Sequence, residues 1–210
     1  MFALGTGTYT LPDAARLLNE PAPRLRGWPQ RYFQENGFGQ LGGEPTIDFL
    51  TLIELKTFSR LRAAGVPVCK IVKAAEQLES LTGLKHPFAQ KSILVKMAAG
   101  ASDVFWEVKS QLISLDGKRQ FSLDVIRDFV NDLSFEGSGI AKNYKPRAGK
   151  GSVVLDPRRR FGQPVVIGTN IEAAMLCRMH EAGDSISLIA KEFQLTKKSV
   201  ANAVEFCQAA

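Results

Sequence analysis

Residues Ile189–Val200, IAKEFQLTKKSV, decide how this chain is read. Two amphipathic helices joined by a tight turn need a small residue where they cross, apolar residues facing inward on both, and a polar outer face on the second. Ala190 is the small residue, Ile189 and Phe193 supply the inner face of the first helix, and Leu195 closes the turn. Val200, Ala203 and Phe206 continue the apolar stripe at helical spacing. This is the helix-turn-helix pattern. Gln194 stands at the turn, where the backbone tends towards the left-handed region and glycine carries no steric penalty.

The same design recurs near the start. In YTLPDAARLLNEPAPRLRGW, residues 9–28, Ala15 aligns with Ala190, Leu18 with Phe193, Leu25 with Val200 and Trp28 with Ala203, with no gap. Thr10 is a helix cap with Asp13 as its capping-box partner, and Pro12 falls in the first turn, where a missing N–H costs nothing. Glu20 takes the place of Leu195, and Pro29 makes the second helix short or kinks it at Trp28. The glycine-rich QENGFGQLGGEPTI, residues 34–47, has flanks able to pair as a hairpin, which is how a wing looks in sequence. A helix then starts at Asp48 and stops at Gly65, and Pro67 opens another through Ile71, Val72 and Leu78.

Beyond these helices the period changes. SILVKMA, DVFWEVK and QLISLD are short β-branched and aromatic runs, followed by a helix from Ser122 to about Asn131, so a small sheet with a helix across it is expected. A scaffold or dimerisation role and a small-molecule site both remain open for it. Residues Glu136 to Gly151, EGSGIAKNYKPRAGKG, read as a basic linker. Their GKGS lacks the first glycine of a phosphate loop and is followed by no helical pattern. The expected fold class is mainly α with a small β-sheet, an α+β chain. It divides into a winged helix-turn-helix at 1–82, a middle unit at 83–135, the linker at 136–151 and a second helix-turn-helix unit at 152–210.

Composition narrows the function. A net charge of +6 favours polyanionic partners. No stretch approaches the roughly 18 apolar residues of a membrane span, and no leader pattern opens the chain, so no membrane association and a cytoplasmic location are expected. Cys69, Cys177 and Cys207 are widely spaced and read as free buried thiols. There is no Ser-His-Asp set, metal cluster or nucleotide fingerprint, and Asp103, Glu107, Asp116 and Asp124 are scattered as solvated faces are. Binding is therefore expected rather than catalysis, with no cofactor and no metal.

The outward positions of a DNA-reading helix lie at its first turn and one turn on. In the C-terminal copy these are Thr196, Lys197, Lys198 and Asn202: a cap, two phosphate or guanine donors and an amide able to bridge adenine. In the N-terminal copy they are Pro23, Arg24, Arg26, Gln30 and Arg31, a set richer in arginine and followed by the wing. The competing reading of both sets is a solvated helix face.

GTYTLPDAARLLNEPAPRLRGW and LIELKTFSRLRAAGVPVCKIVKAAEQL together resemble the MerR-type winged helix-turn-helix family over about the first 80 residues. The R-x-x-G-V-x-x-x-x-I pattern from Arg62 to Ile71 is typical of it. The family's usual arginine and tyrosine on the reading helix and wing have counterparts in Arg26, Arg31 and Tyr32. Further on, DP, FGQPVV, GT-x-I and AGDSISLIAKEFQLTKKSVANAVEF resemble the small antitoxin domain catalogued as the domain of unknown function numbered four-three-three, over about residues 152–210. Asn170 departs from it, since members often carry arginine after the GT.

The whole architecture is similar to VapB-like antitoxins with a MerR-type N-terminus. That resemblance implies a toxin–antitoxin system: a PIN-like ribonuclease toxin as protein partner, operator DNA as the second partner, repression of the chain's own promoter, and a homodimer or a hetero-oligomer with the toxin. Within it, FGQPVVIGT is an extended apolar strip able to add to a sheet edge or fill a groove, with Phe161, Val165 and Ile167 as anchors. Arg158, Arg159 and Arg160 would lie against the carboxylates of an acidic, metal-binding nuclease cleft. The alternative is a MerR-like transcriptional regulator with the central sheet as an effector or dimerisation module.

Overall fold

The computed structural model describes residues 6–18, 20, 21, 25, 38–63, 65–99 and 126–209. Strand β1 (Tyr9–Thr10) leads into helix α1 (Leu11–Leu18). The Thr10 hydroxyl accepts from the Asp13 amide at 3.2 Å and donates to the Asp13 carboxylate at 2.7 Å, the expected cap. Leu11, Ala14, Ala15 and Leu18 are buried at helical spacing, and Leu25 is buried as well.

The hairpin forms where the glycines place it. Strand β2 (Phe38–Leu41) pairs antiparallel with β3 (Glu44–Ile47), and β1 adds on the other side in the order β1-β3-β2. Gly42 and Gly43 close the two-residue loop at φ of 59° and 85°, the double left-handed geometry such a loop needs. Asp48 caps the long helix α2 (Phe49–Ala63), its carboxylate accepting from the Thr51 amide at 2.8 Å. Burial on almost every turn face, from Phe49 through Leu52, Leu55 and Phe58 to Leu61, makes α2 the central element of the main core. Pro67 precedes α3 (Val68–Thr82), and Gly83 ends it in the left-handed conformation.

From here on the fold departs from the sequence expectation twice. SILVKMA is not a strand: Lys91–Ala99 forms helix α4 after a 3-10 turn at Pro87–Ala89. Its buried residues Ile93, Leu94 and Ala98, with Met97 half-buried, recur at helical spacing, which outweighs the β-branched content. DVFWEVK and QLISLD lie outside the described residues. Residues 126–131 are helical, as expected.

The stretch Glu136–Gly151 is also no loose linker. Strand β4 (Leu133–Phe135) pairs antiparallel with β5 (Ala141–Tyr144), and Tyr144 exchanges backbone bonds of 3.0 and 2.8 Å with Leu155. Ala141 and Tyr144 enter the main core, and the Tyr144 ring meets Phe129 edge-on at 5.7 Å. That core draws on residues from Tyr9 to Leu155, so the first three segments share one interior.

Strands β6 (Val153–Val154) and β7 (Val165–Val166) pair antiparallel below three helices, α5 (Ala173–Glu181), α6 (Ile186–Glu192) and α7 (Lys197–Ala209). Val153, Val166, Leu176, Ile189, Val200, Ala203 and Phe206 form a second core. Leu17 of α1 packs against both cores, and Lys150 ion-pairs with Glu205 at 2.6 Å across the junction. The fold is α+β, mainly helical with small antiparallel sheets, as the sequence predicts.

Candidate functional site

Helices α6 and α7 build the helix-turn-helix that the opening stretch predicts. Ser185 caps α6, its hydroxyl accepting from Leu188 N at 3.2 Å. Ala190 is buried at the crossing, and Leu195 N returns to Ala190 O at 2.9 Å. Gln194 adopts φ 54°, so the turn takes the left-handed residue without glycine. Thr196 caps α7 through Ser199 N at 3.0 Å. Lys197 and Lys198 are exposed in the first turn of α7. Cations there add to the positive end of the helix dipole, which suits an anionic ligand better than it suits the helix.

Asn202 does not stand with them. It is 7% exposed, and its amide Nδ2 donates to Ser152 Oγ at 2.9 Å. The buried stripe of α7 takes in Val200, Asn202, Ala203, Val204 and Phe206, and residues 149–152 cover the flank where Asn202 emerges. Its role is to join α7 to the β6 lead-in, and the outward set reduces to Thr196, Lys197 and Lys198.

The N-terminal candidates Arg24, Arg26, Gln30, Arg31 and Tyr32 lie outside the described residues. Their neighbour Leu25 is helical and buried, in keeping with the inner-face position assigned to it. The hairpin is present, but residues 38–47 carry no lysine or arginine. The hairpin itself therefore offers no cationic side chain.

A second surface gathers around the loop from Arg158 to Gly162. Arg158, Arg159, Arg160, Gly168, Thr169 and Asn170 line an open depression of about 380 Å³. Each arginine is held by one carboxylate: Arg158 by Glu136, Arg159 by Asp156 at 3.6 Å, and Arg160 by Glu172 at 2.8 Å. The guanidinium groups are exposed and their carboxylate partners half-buried, and pairs at such a surface are worth about 0.2–1 kcal/mol each, so an incoming carboxylate can displace them at low cost. Phe161 is 71% exposed and Ile167 40%, so both can serve as apolar anchors beside the guanidinium groups.

Val165 cannot. It is 0% exposed, paired with Val154 in the β6–β7 ladder. The strip is not an open edge either: Ile167 N donates to Ser152 O, Val166 N to Ile171 O and Ala173 N to Pro164 O, each at 2.9 Å. These backbone groups are already spent within the chain, so what the strip turns outward there is side chains.

Sequence reasoning passed over the residues that hold this loop. Thr169 fixes one rim, its hydroxyl donating to Val166 O at 3.0 Å and accepting from Ile171 N at 3.1 Å. The GT-x-I spacing was the signal that could have found it. From the other end of the chain, Tyr9 Oη donates to Gly162 O at 2.8 Å and Thr8 N to Phe161 O at 2.8 Å. Burial, with the charges of Asp48 and Asp156 adding to it, pushes the Tyr9 hydroxyl pKa up, so it stays a donor. Cys69 is exposed rather than buried, while Cys177 is buried and Cys207 half-buried, all three as free thiols.

Residues 153–207 match the family described as "Protein of unknown function (DUF433)", the segment that contains the arginine loop and the helix-turn-helix. The chain is 24% identical to "Putative antitoxin VapB45" of Mycobacterium tuberculosis, over 94% of this chain and 92% of that protein. The X-ray crystal structure of Rv2018 from Mycobacterium tuberculosis has the same fold, with a TM-score of 0.76 at 22% identity over 97% of this chain and 99% of that one. Among the described residues no helix is long and apolar enough to cross a membrane.

Proposed function

We propose that this chain is the antitoxin of a type II toxin–antitoxin system, that it binds and neutralises a PIN-like ribonuclease toxin, and that it represses its own operon by binding promoter DNA. The observation that carries the reading is the likeness to an antitoxin along nearly the whole of both chains. The arginine loop gives that likeness a physical basis. A nuclease cleft is lined by carboxylates that hold metal, and Arg158, Arg159 and Arg160 can exchange their own carboxylate partners for those of the cleft. Phe161 and Ile167 then bury apolar area beside the charged contacts, which is the composition of a binding hot spot. Asn170 stands on the rim of the same depression, offering an amide in the position where the resembling domain often has arginine.

DNA binding is assigned to the N-terminal MerR-type unit, through Arg24, Arg26, Gln30, Arg31 and Tyr32, with Lys197 and Lys198 of α7 as a second cationic edge. The chain carries no catalytic role in this scheme. The test is co-expression of the tagged full-length chain with the product of the neighbouring reading frame. The two are expected to co-purify, and the triple replacement of Arg158, Arg159 and Arg160 by alanine is expected to leave the chain folded and release the partner. Failure of the wild-type chain to retain the partner overturns the proposal.

A further inference from the structure

The arginine loop is held in its shape by residues more than 150 positions away. Arg160, Phe161 and Gly162 have φ of 47°, 55° and 87°, three left-handed residues in succession. Two of them carry a Cβ, and a free chain rarely populates that conformation. It persists where the surroundings over-determine it. Within the loop, Gly162 N returns to Arg159 O at 2.8 Å and Gln163 N to Arg160 O at 3.0 Å. Beside the arginine–carboxylate pairs, further restraint comes from the N-terminus, where Thr8 N donates to Phe161 O and Tyr9 Oη to Gly162 O, both at 2.8 Å. Gly162 is the residue that admits the tyrosine, because a Cβ there would overlap the Tyr9 hydroxyl.

The anchor itself is rigid. Tyr9 is fully buried, β1 is paired to β3 at Ile47 and Thr46, and Phe49 N at the start of α2 donates to Thr6 O at 3.0 Å. The N-terminal sheet and the start of the central helix thus act as the wall against which the loop is moulded. Phe161 is turned out to solvent beside the arginines as the result.

We infer that the docking surface is composite: Tyr9 of β1 is a positioning residue that presents Arg158–Phe161 to the partner, and the C-terminal unit does not carry the docking function by itself. The inference rests on the reading of this loop as the toxin-docking surface. A loop already in its bound shape avoids the ordering cost of association. Removing the Tyr9 hydroxyl leaves the Gly162 carbonyl buried without that donor and lets the loop populate other shapes. Apparent affinity then falls with the fraction of competent molecules. A loss on the order of tenfold is expected, the equivalent of one buried hydrogen bond.

The experiment compares full-length wild type with Tyr9→Phe, using the purified product of the neighbouring reading frame as the probe. Binding kinetics are read alongside limited trypsin digestion, which cuts after Arg158, Arg159 and Arg160 when the loop is free to enter the protease. A positioning role predicts faster cleavage at those three sites alone, slower association with the probe and about tenfold weaker binding. Faster cleavage spread along the chain would mark a merely structural role and overturn the inference. Should Tyr9→Phe fail to fold, Gly162→Ala disturbs the same contact from the loop side and carries the same expectation. If wild type binds the probe and the variant binds equally well, the inference alone falls. If wild type does not bind at all, the toxin-docking reading falls and the inference with it.

Discussion

Lys56 donates to the Leu18 carbonyl at 3.0 Å from a half-buried position on α2, closing the C-terminal end of α1. Burial, with Arg60 adding to it, pushes its ammonium pKa down to about 8. The folded value lies below the ordinary 10.5, so the charged form costs the fold stability. That cost is fully present below about pH 8 and is relieved as pH rises towards 10.5. Lys56→Met is expected to remove this rise, as measured by urea unfolding across that window. The buried pair of Glu54 and His86 works in the opposite direction. His86 Nδ1 meets Glu54 Oε2 at 2.9 Å, and Phe88 N donates to Glu54 Oε1 at 3.2 Å. Burial raises the Glu54 pKa, while at His86 the Glu54 hydrogen bond and charge more than offset the downward push of burial. Both groups favour a bound proton in the fold, so the pair's contribution is held at low pH and lost as pH rises through the folded values. His86→Ala strands the Glu54 carboxylate and should cost about 3 kcal/mol near neutral pH, shrinking as Glu54 takes up a proton at lower pH. Neither pair is legible in sequence, because each joins residues from elements whose approach is decided only by the core.

At the scale of elements, what local rules govern was readable and what distant cover governs was not. Thr10, Asp48, Gly65 and Gln194 mark their helix ends by side-chain caps and left-handed backbone, and Gly42-Gly43 marks its hairpin. The run SILVKMA misled because branched residues suggest a strand, while burial against the main core recurs at the helical period. Residues 136–151 misled because glycines and lysines are the commonest residues while two residues, Ala141 and Tyr144, decide the packing. Tyr144→Ala tests this directly. For a linker it would cost nothing, whereas loss of a buried ring beside Phe129 should cost about 3–5 kcal/mol in urea unfolding. The same limit hid the true orientation of Asn202 and Val165. Outwardness on α7 depends on residues 149–152, and inwardness of the strip depends on its pairing with β6.

For the whole molecule, one chain is proposed to serve two partners with two cationic surfaces. Replacement of Arg24, Arg26 and Arg31 by alanine should weaken promoter binding and lower the slope of log affinity against log salt by about 0.9 for each phosphate no longer neutralised, read by titration at several salt concentrations. An unchanged slope would remove the N-terminal unit as the DNA reader. The arginine loop should be indifferent to those changes, since its restraints come from β1 and the segment before α5. The most direct measurement of the central claim is growth. Cells expressing the product of the neighbouring reading frame are expected to arrest, to recover when the wild-type chain is induced, and to stay arrested when Arg158, Arg159 and Arg160 are all alanine. Recovery with the triple variant equal to wild type, or no recovery with wild type, would contradict the account.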